Sequence, residues 1–145
     1  MITRDEVLMG REKTSPLTPE MELNLQALLI GLNKFRTIYG KPMKVASGYR
    51  PPEINSKIKG AAKKSNHMVC LACDFVDIDG SLDLYCANNL KILEECGLYL
   101  EHPKWTKTWC HLQVAKPSSG KRIFIPFAGE PLPGKCDKLF LNLKI

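Results

Sequence analysis

Ser65-Asn66-His67-Met68-Val69-Cys70-Leu71-Ala72-Cys73-Asp74, followed far downstream by Trp109-Cys110-His111-Leu112-Gln113, contains two histidines and an aspartate whose types and spacing suit a metal ion. Zinc takes neutral imidazole nitrogen and carboxylate oxygen. Three protein ligands leave a fourth position open, as in sites that hydrolyse a bond rather than staple a fold. Two of the three histidines of the chain fall in these segments. Their conjunction, more than any single residue, points to a metallopeptidase. Asp77 and Asp79 are rivals for the carboxylate ligand, but on a regular strand Asp77 points away from the face of Asp74. Asp79 sits in a turn where it would cap the next helix.

The first segment resembles the Ser-x-His-x6-Asp signature of the zinc D,D- and L,D-peptidases that cut bacterial cell-wall stem peptides. This is the M15 family, related to D-alanyl-D-alanine carboxypeptidases and phage endolysins. The second segment resembles that family's Trp-x-His block. Ser47-Gly48-Tyr49-Arg50-Pro51-Pro52-Glu53-Ile54-Asn55 looks like its Ser-Gly-Tyr-Arg-x-x-x-x-Asn block, and Gly60-Ala61-Ala62 looks like the lead-in to its first histidine. The resemblance covers residues 20–115 or thereabouts.

It implies Zn2+ held by His67, Asp74 and His111. Arg50 is a catalytic and substrate-binding candidate, because a guanidinium can grip a peptide carboxylate or an oxyanion through paired hydrogen bonds. A surface ion pair at the turn is the plainer alternative. Ser65 and Gln113 are substrate-binding candidates, with a turn role open to Ser65 and orientation of a ligand open to Gln113. Tyr49 and Trp109 read as core aromatics.

Two departures from the family pattern stand out. In many members the general base stands three residues before the second histidine, and here that position is Thr108, which cannot take a proton at neutral pH. Glu101, the nearest upstream carboxylate, is the catalytic candidate in its place, with the imidazole of His102 as the alternative. Cys70 replaces the usual glycine, and cysteine adopts positive φ less freely.

Composition frames these readings. The 145 residues suffice for one domain with its own core. A hydrophobic content of 44% and a charged content of 25% are ordinary for a globular chain. No apolar run approaches the roughly 18 residues a membrane helix needs. Met1 to Glu6 lacks the apolar core of a secretory signal, so the expectation is a monomer, cytoplasmic at synthesis, that reaches the cell wall through a phage pore or as a virion component.

A net charge of +6 and a pI near 9.0 suit an anionic partner, and the densest basic stretch, Lys57 to Lys64, precedes the first histidine. Without finger spacing, ribonucleoprotein aromatics or heptads, no nucleic-acid partner is expected. Peptidoglycan, itself anionic, fits the charge. Cysteines 70, 73, 86, 96, 110 and 136 read as reduced, buried thiols. Cys70-x2-Cys73 has no second pair to complete a zinc knuckle.

The positioning elements follow from periodicity. Apolar residues at Met21, Leu25, Leu28, Leu32 and Phe35 predict a helix over 19–39, started by Thr18-Pro19 and stopped by Gly40. Strands are expected at 44–47, 71–78, 98–100 and 109–114, and a helix at 81–96 capped by Ser81 and ended by Gly97. Glu53 to Lys59 suits one or two helical turns. The strand period puts His111 and Gln113 on one face, where a neighbouring strand would bring Asp74 beside His111 and His67 would reach in from the loop ahead.

Residues 116–145 are a tail with a candidate strand at Arg122 to Ile125 and an alternating segment at 139–143 that suits an edge strand or a partner contact. The expected fold is a single α+β domain with a small antiparallel sheet, helices on one side, and the zinc site on the sheet. The leading function is hydrolysis of a peptidoglycan stem-peptide amide. The alternatives are a zinc-containing binding or virion structural module without turnover, and a cytoplasmic D-alanyl-D-alanine dipeptidase.

Overall fold

In a computed structural model, which describes residues 1–126, the helices are α1 (Arg4–Leu8), α2 (Pro19–Tyr39), α3 (Pro52–Asn55), α4 (Ser81–Asn88) and α5 (Leu90–Glu95). The strands are β1 (Val45–Ser47), β2 (Ala72–Val76), β3 (Tyr99–Glu101), β4 (Trp109–Gln113) and β5 (Ile123–Phe124). The predicted strand at 139–143 and Cys136 lie outside the described residues.

Helix α2 has the predicted bounds for the predicted reasons. Thr18 Oγ1 accepts from Met21 N at 3.2 Å, Pro19 opens the first turn, and Gly40 closes the last with φ 74°. Leu25, Leu28, Leu32 and Phe35 are fully buried along one stripe. At roughly 1.5–3 kcal/mol per large apolar side chain, that stripe far outweighs the helix's intrinsic propensity.

The sheet runs in the order β1-β2-β4-β3-β5. It is mostly antiparallel, not wholly so as expected, because β5 lies parallel to β3, returning after the β4 crossing and the 114–122 connection. The central ladder pairs Cys73 with Leu112, Asp74 with His111 and Phe75 with Cys110. Alternation therefore sends Cys73, Phe75, Cys110 and Leu112 into the buried cluster shared with α2, α4 and α5, and leaves Asp74 and His111 on the opposite face.

The predicted 81–96 helix is two helices. Asn89, at φ −133° and ψ 50°, gives its side-chain amide to Tyr85 O at 2.8 Å and interrupts the ladder. Ser81 is not the cap. The Asp77 carboxylate takes the N–H groups of Leu82 and Asp83 at 2.9 and 2.8 Å, while Ser81 is held by Asp79 Oδ1.

Asp83 is 2% exposed, with one oxygen bonded to Thr106 and the other without a partner. Burial pushes its carboxyl from 3.8 up to about 7; bonds from Cys110 and Thr106 oppose the rise, and the charges of Asp77 and Glu101 add to it. The unfolded chain releases this proton near its ordinary value and the folded chain does not. Stability should therefore fall as pH rises from about 4 to 7, by roughly 4 kcal/mol at most. Asp83→Asn is expected to flatten that fall in thermal melts between pH 5 and 8; a variant that keeps the wild-type slope would refute the assignment.

Candidate metal centre

The backbone brings the three predicted ligands together. Asp74 and His111 are direct partners on β2 and β4, and His67 sits on a single 3-10 turn, Asn66–Val69, ahead of β2. Ser65 Oγ caps that turn by accepting His67 N at 3.2 Å. Cys70 ends it at φ 62°, the left-handed position foreseen from the missing glycine, which costs a non-glycine residue about 1–2 kcal/mol.

The second nitrogen of each histidine is already occupied. His67 Nδ1 donates to Gly48 O at 2.8 Å, since a carbonyl can only accept, leaving Nε2 with its lone pair free. His111 Nε2 donates to Gln113 Oε1 at 2.8 Å, and the Gln113 amide is fixed in that sense by donating from Nε2 to Ala115 O at 2.8 Å. Both imidazoles are thereby locked in tautomers that aim a lone pair at one point.

At that point His67 Nε2 lies 3.3 Å from His111 Nδ1 and 3.3 Å from Asp74 Oδ2, and His111 Nδ1 lies 2.8 Å from Asp74 Oδ1. Two imidazole nitrogens and a carboxylate this close need a positive charge between them, which a proton on His111 or a metal ion in its place would supply. Ligand atoms about 2.0–2.1 Å from a tetrahedral zinc stand roughly 3.3 Å apart, so the set fits such an ion. All three residues are buried.

The electrostatics agree. Burial opposes ionisation of Asp74, but the charges and hydrogen bonds of His67 and His111 outweigh it and hold the carboxyl well below its usual range. Burial also opposes charge on His111, yet bonds and charges from Asp74, with Glu101 and Gln113, raise it to about 9. Burial holds His67 below its ordinary value, despite Asp74, with help from the charges of His111 and Arg50.

A cleft of about 400 Å³ opens over the cluster, lined in part by Arg50, Glu101, Trp105, Trp109 and Lys59. Tyr99 pairs with Gln113 and Leu100 with Leu112, so one further step brings Glu101 level with His111 on the same face. Burial first, and the charge of Asp74 next, raise the Glu101 carboxyl, with His111 and Arg50 opposing. His102 is elsewhere: buried, with Nδ1 accepting Lys104 N at 3.1 Å, it caps the Pro103–Trp105 turn.

Arg50 is in the cleft wall, its N–H on His67 O at 3.0 Å, its Nη2 on Ser65 Oγ at 3.3 Å and its buried Nε without a partner. Burial lowers its pKa. Ser65 and Gln113 are not among the cleft-lining residues. Ser65 positions His67 and Arg50, and Gln113, 3% exposed, orients His111.

Tyr49 is a core residue, as read. Trp109 lines the cleft instead, together with Trp105 and the Ile58 to Ala62 loop, of which the motifs marked Gly60-Ala61-Ala62 only as the lead-in to His67. That loop is held by Asn55 Nδ2 donating to Ala62 O at 2.8 Å. Its advance signals were that block and the basic run ahead of His67. Cys73 faces the core, and burial raises both its thiol and that of Cys70, the latter to about 11, as expected of inert structural cysteines.

Among the described residues no helix is long and apolar enough to cross a membrane. A family model described as Peptidase M15 matches residues 2–111. No curated protein and no solved structure matches the chain.

Proposed function

Because the chain belongs to the M15 peptidase family, and so is a zinc-dependent hydrolase of peptide bonds, we propose that it cuts a stem-peptide amide of bacterial peptidoglycan. The observation that carries this reading is the placement of Glu101 level with His111, beside the His67–Asp74–His111 cluster and under the same cleft as Arg50.

His67, Asp74 and His111 would hold the ion. When bound, zinc supplies Lewis-acid chemistry, polarising the scissile carbonyl and making a water easier to deprotonate. Glu101 then accepts the proton of the attacking water and passes it to the leaving nitrogen, replacing the acid absent at Thr108. Its raised pKa suits both halves of that transfer, because a carboxyl nearer the working pH gives up a proton almost as readily as it takes one. Arg50 orients a substrate carboxylate, and Lys59 adds a second cation to that wall. Stem peptides carry free carboxylates, which these cations would attract.

The test is mass spectrometry of purified peptidoglycan after incubation with the zinc-loaded protein, beside His111→Ala. New peptide termini, absent with the variant, are expected and would name the bond. No product despite stoichiometric bound zinc would sink the proposal and favour a zinc-containing module without turnover.

A further inference from the structure

A second depression adjoins the main cleft at Asp74 and Trp109. It measures about 480 Å³ and is lined by Ala46, Ser47, Val76, Ile78 and Thr108 together with Asp74 and Trp109. Asp74 and Trp109 also line the main cleft, so the two depressions meet at one edge of the His67–Asp74–His111 cluster. The strand period explains the layout. Asp74 and Val76 of β2 point to one face, as do His111 and Trp109 of β4, and Val76 pairs directly with Trp109. Two residues along each strand carry the surface from ligands to an apolar shelf.

The two arms differ in chemistry. The first carries Arg50, Lys59 and Glu101; the shelf has no charged side chain except the shared ligand candidate Asp74. Val76 and Ile78 are 40% and 78% exposed there beside Trp109, a contiguous apolar patch that the fold leaves uncovered among the described residues. Thr108 also stands on the shelf and is exposed, so the position where many relatives of this pattern carry an acid is here part of a neutral wall.

Resting on the peptidase reading, we infer that the shelf binds the apolar flank of a peptide substrate, so that a bound peptide runs from the main cleft past Asp74 and Trp109 onto the shelf with its carboxylate-bearing segment towards Arg50 and Lys59. The occupant is the other half of the same substrate because the shelf is continuous with the cleft through Asp74 and Trp109. A chain end lodged wholly in the charged arm would leave the shelf without a role.

Both tryptophans of the chain line the cleft, so their fluorescence reports occupancy directly. The probes are acetyl-Glu-Glu-Ala-Leu-Leu-amide and acetyl-Leu-Leu-Ala-Glu-Glu-amide, which present the apolar arm in either chain direction, and their truncated forms without the leucines. They are titrated into the zinc-loaded protein carrying Glu101→Gln to suppress cleavage. The full peptide in one of the two orders is expected to bind about tenfold more tightly than its truncated form.

Adding Ile78→Ser should cut that advantage below about threefold. Ile30→Ser, at an equally exposed isoleucine on α2 (71%), should leave it intact. Equal binding of full and truncated peptides in both orders, or an advantage that survives Ile78→Ser, would overturn the inference. Turnover is read separately on the protein with Glu101 intact. Absent turnover with the length advantage present would overturn the peptidase reading and leave the shelf standing.

Discussion

Glu101→Gln is expected to lower kcat on peptidoglycan by about 10³-fold while zinc stoichiometry and thermal stability stay close to wild type, the range typical of losing a positioned general base. On the proposed mechanism the substitution removes the proton acceptor and little else. Glu101 lies level with His111 but belongs to β3, and none of the three clustered ligand atoms comes from it. The pH profile should change as well. Activity in the wild type should rise with pH as Glu101 ionises, and because burial raises that carboxyl, the acid limb should lie above the 4.5 of an ordinary glutamate. In the variant that limb should vanish. A kcat within threefold of wild type would mean that some other group moves the proton, and the mechanism would have to be rebuilt around it.

Gly48→Ala should be nearly as damaging, by a different route. A Cβ at residue 48 would lie 2.0 Å from Val7 O and 2.7 Å from Val7 C, and both are backbone atoms that no rotamer change can move. The same Val7 carbonyl accepts Tyr49 N at 2.8 Å, and Gly48 O accepts His67 Nδ1 at 2.8 Å. Making room for one methyl group therefore separates α1 from the end of β1 and drags away the carbonyl that sets the His67 tautomer. A loss of about 3 kcal/mol, read as a Tm lower by roughly 10 °C, is expected. Zinc affinity should fall about 10–100-fold with it, as for other losses of a ligand's supporting hydrogen bond. Unchanged zinc affinity in a variant that still folds would show that the Gly48 carbonyl does not orient the ligand.

The same glycine shows where sequence reading stops. Local signals were sufficient for α2, because Thr18-Pro19 and Gly40 are chemical punctuation and a 21-residue helix repeats its apolar period several times. Period two was sufficient to put Asp74 and His111 on one face of paired strands. It also put Gln113 beside His111, but whether that amide would touch a ligand or a substrate depended on Ala115 O and Asn66, which only the folded chain brings near.

The N-terminal residues were read only for a missing secretory signal, and their part in the core went unseen. Helix α1 is five residues long, too short to show a period, yet Ile2, Val7 and Leu8 belong to the core and Arg11 donates to Tyr49 O at 2.8 Å. The cleft walls were hidden for a related reason: Trp105 and the Ile58 to Ala62 loop are irregular backbone with no periodic pattern. Asn89 falls inside the helix predicted at 81–96, where its side-chain amide competes with the backbone and splits that helix.

The strand order has a consequence for how the protein comes into being. Strand β4 follows β3 in the chain, yet among the described residues it lies between β2 and β3 and is the strand that joins them. It also carries His111. A growing chain that has emerged only as far as β3 holds two of the three ligands and the prospective base, with nothing to bring them into register. The strand that reaches the centre of the sheet after β2 and β3 is thus the one that completes the ligand set, and a chain ending before β4 lacks His111.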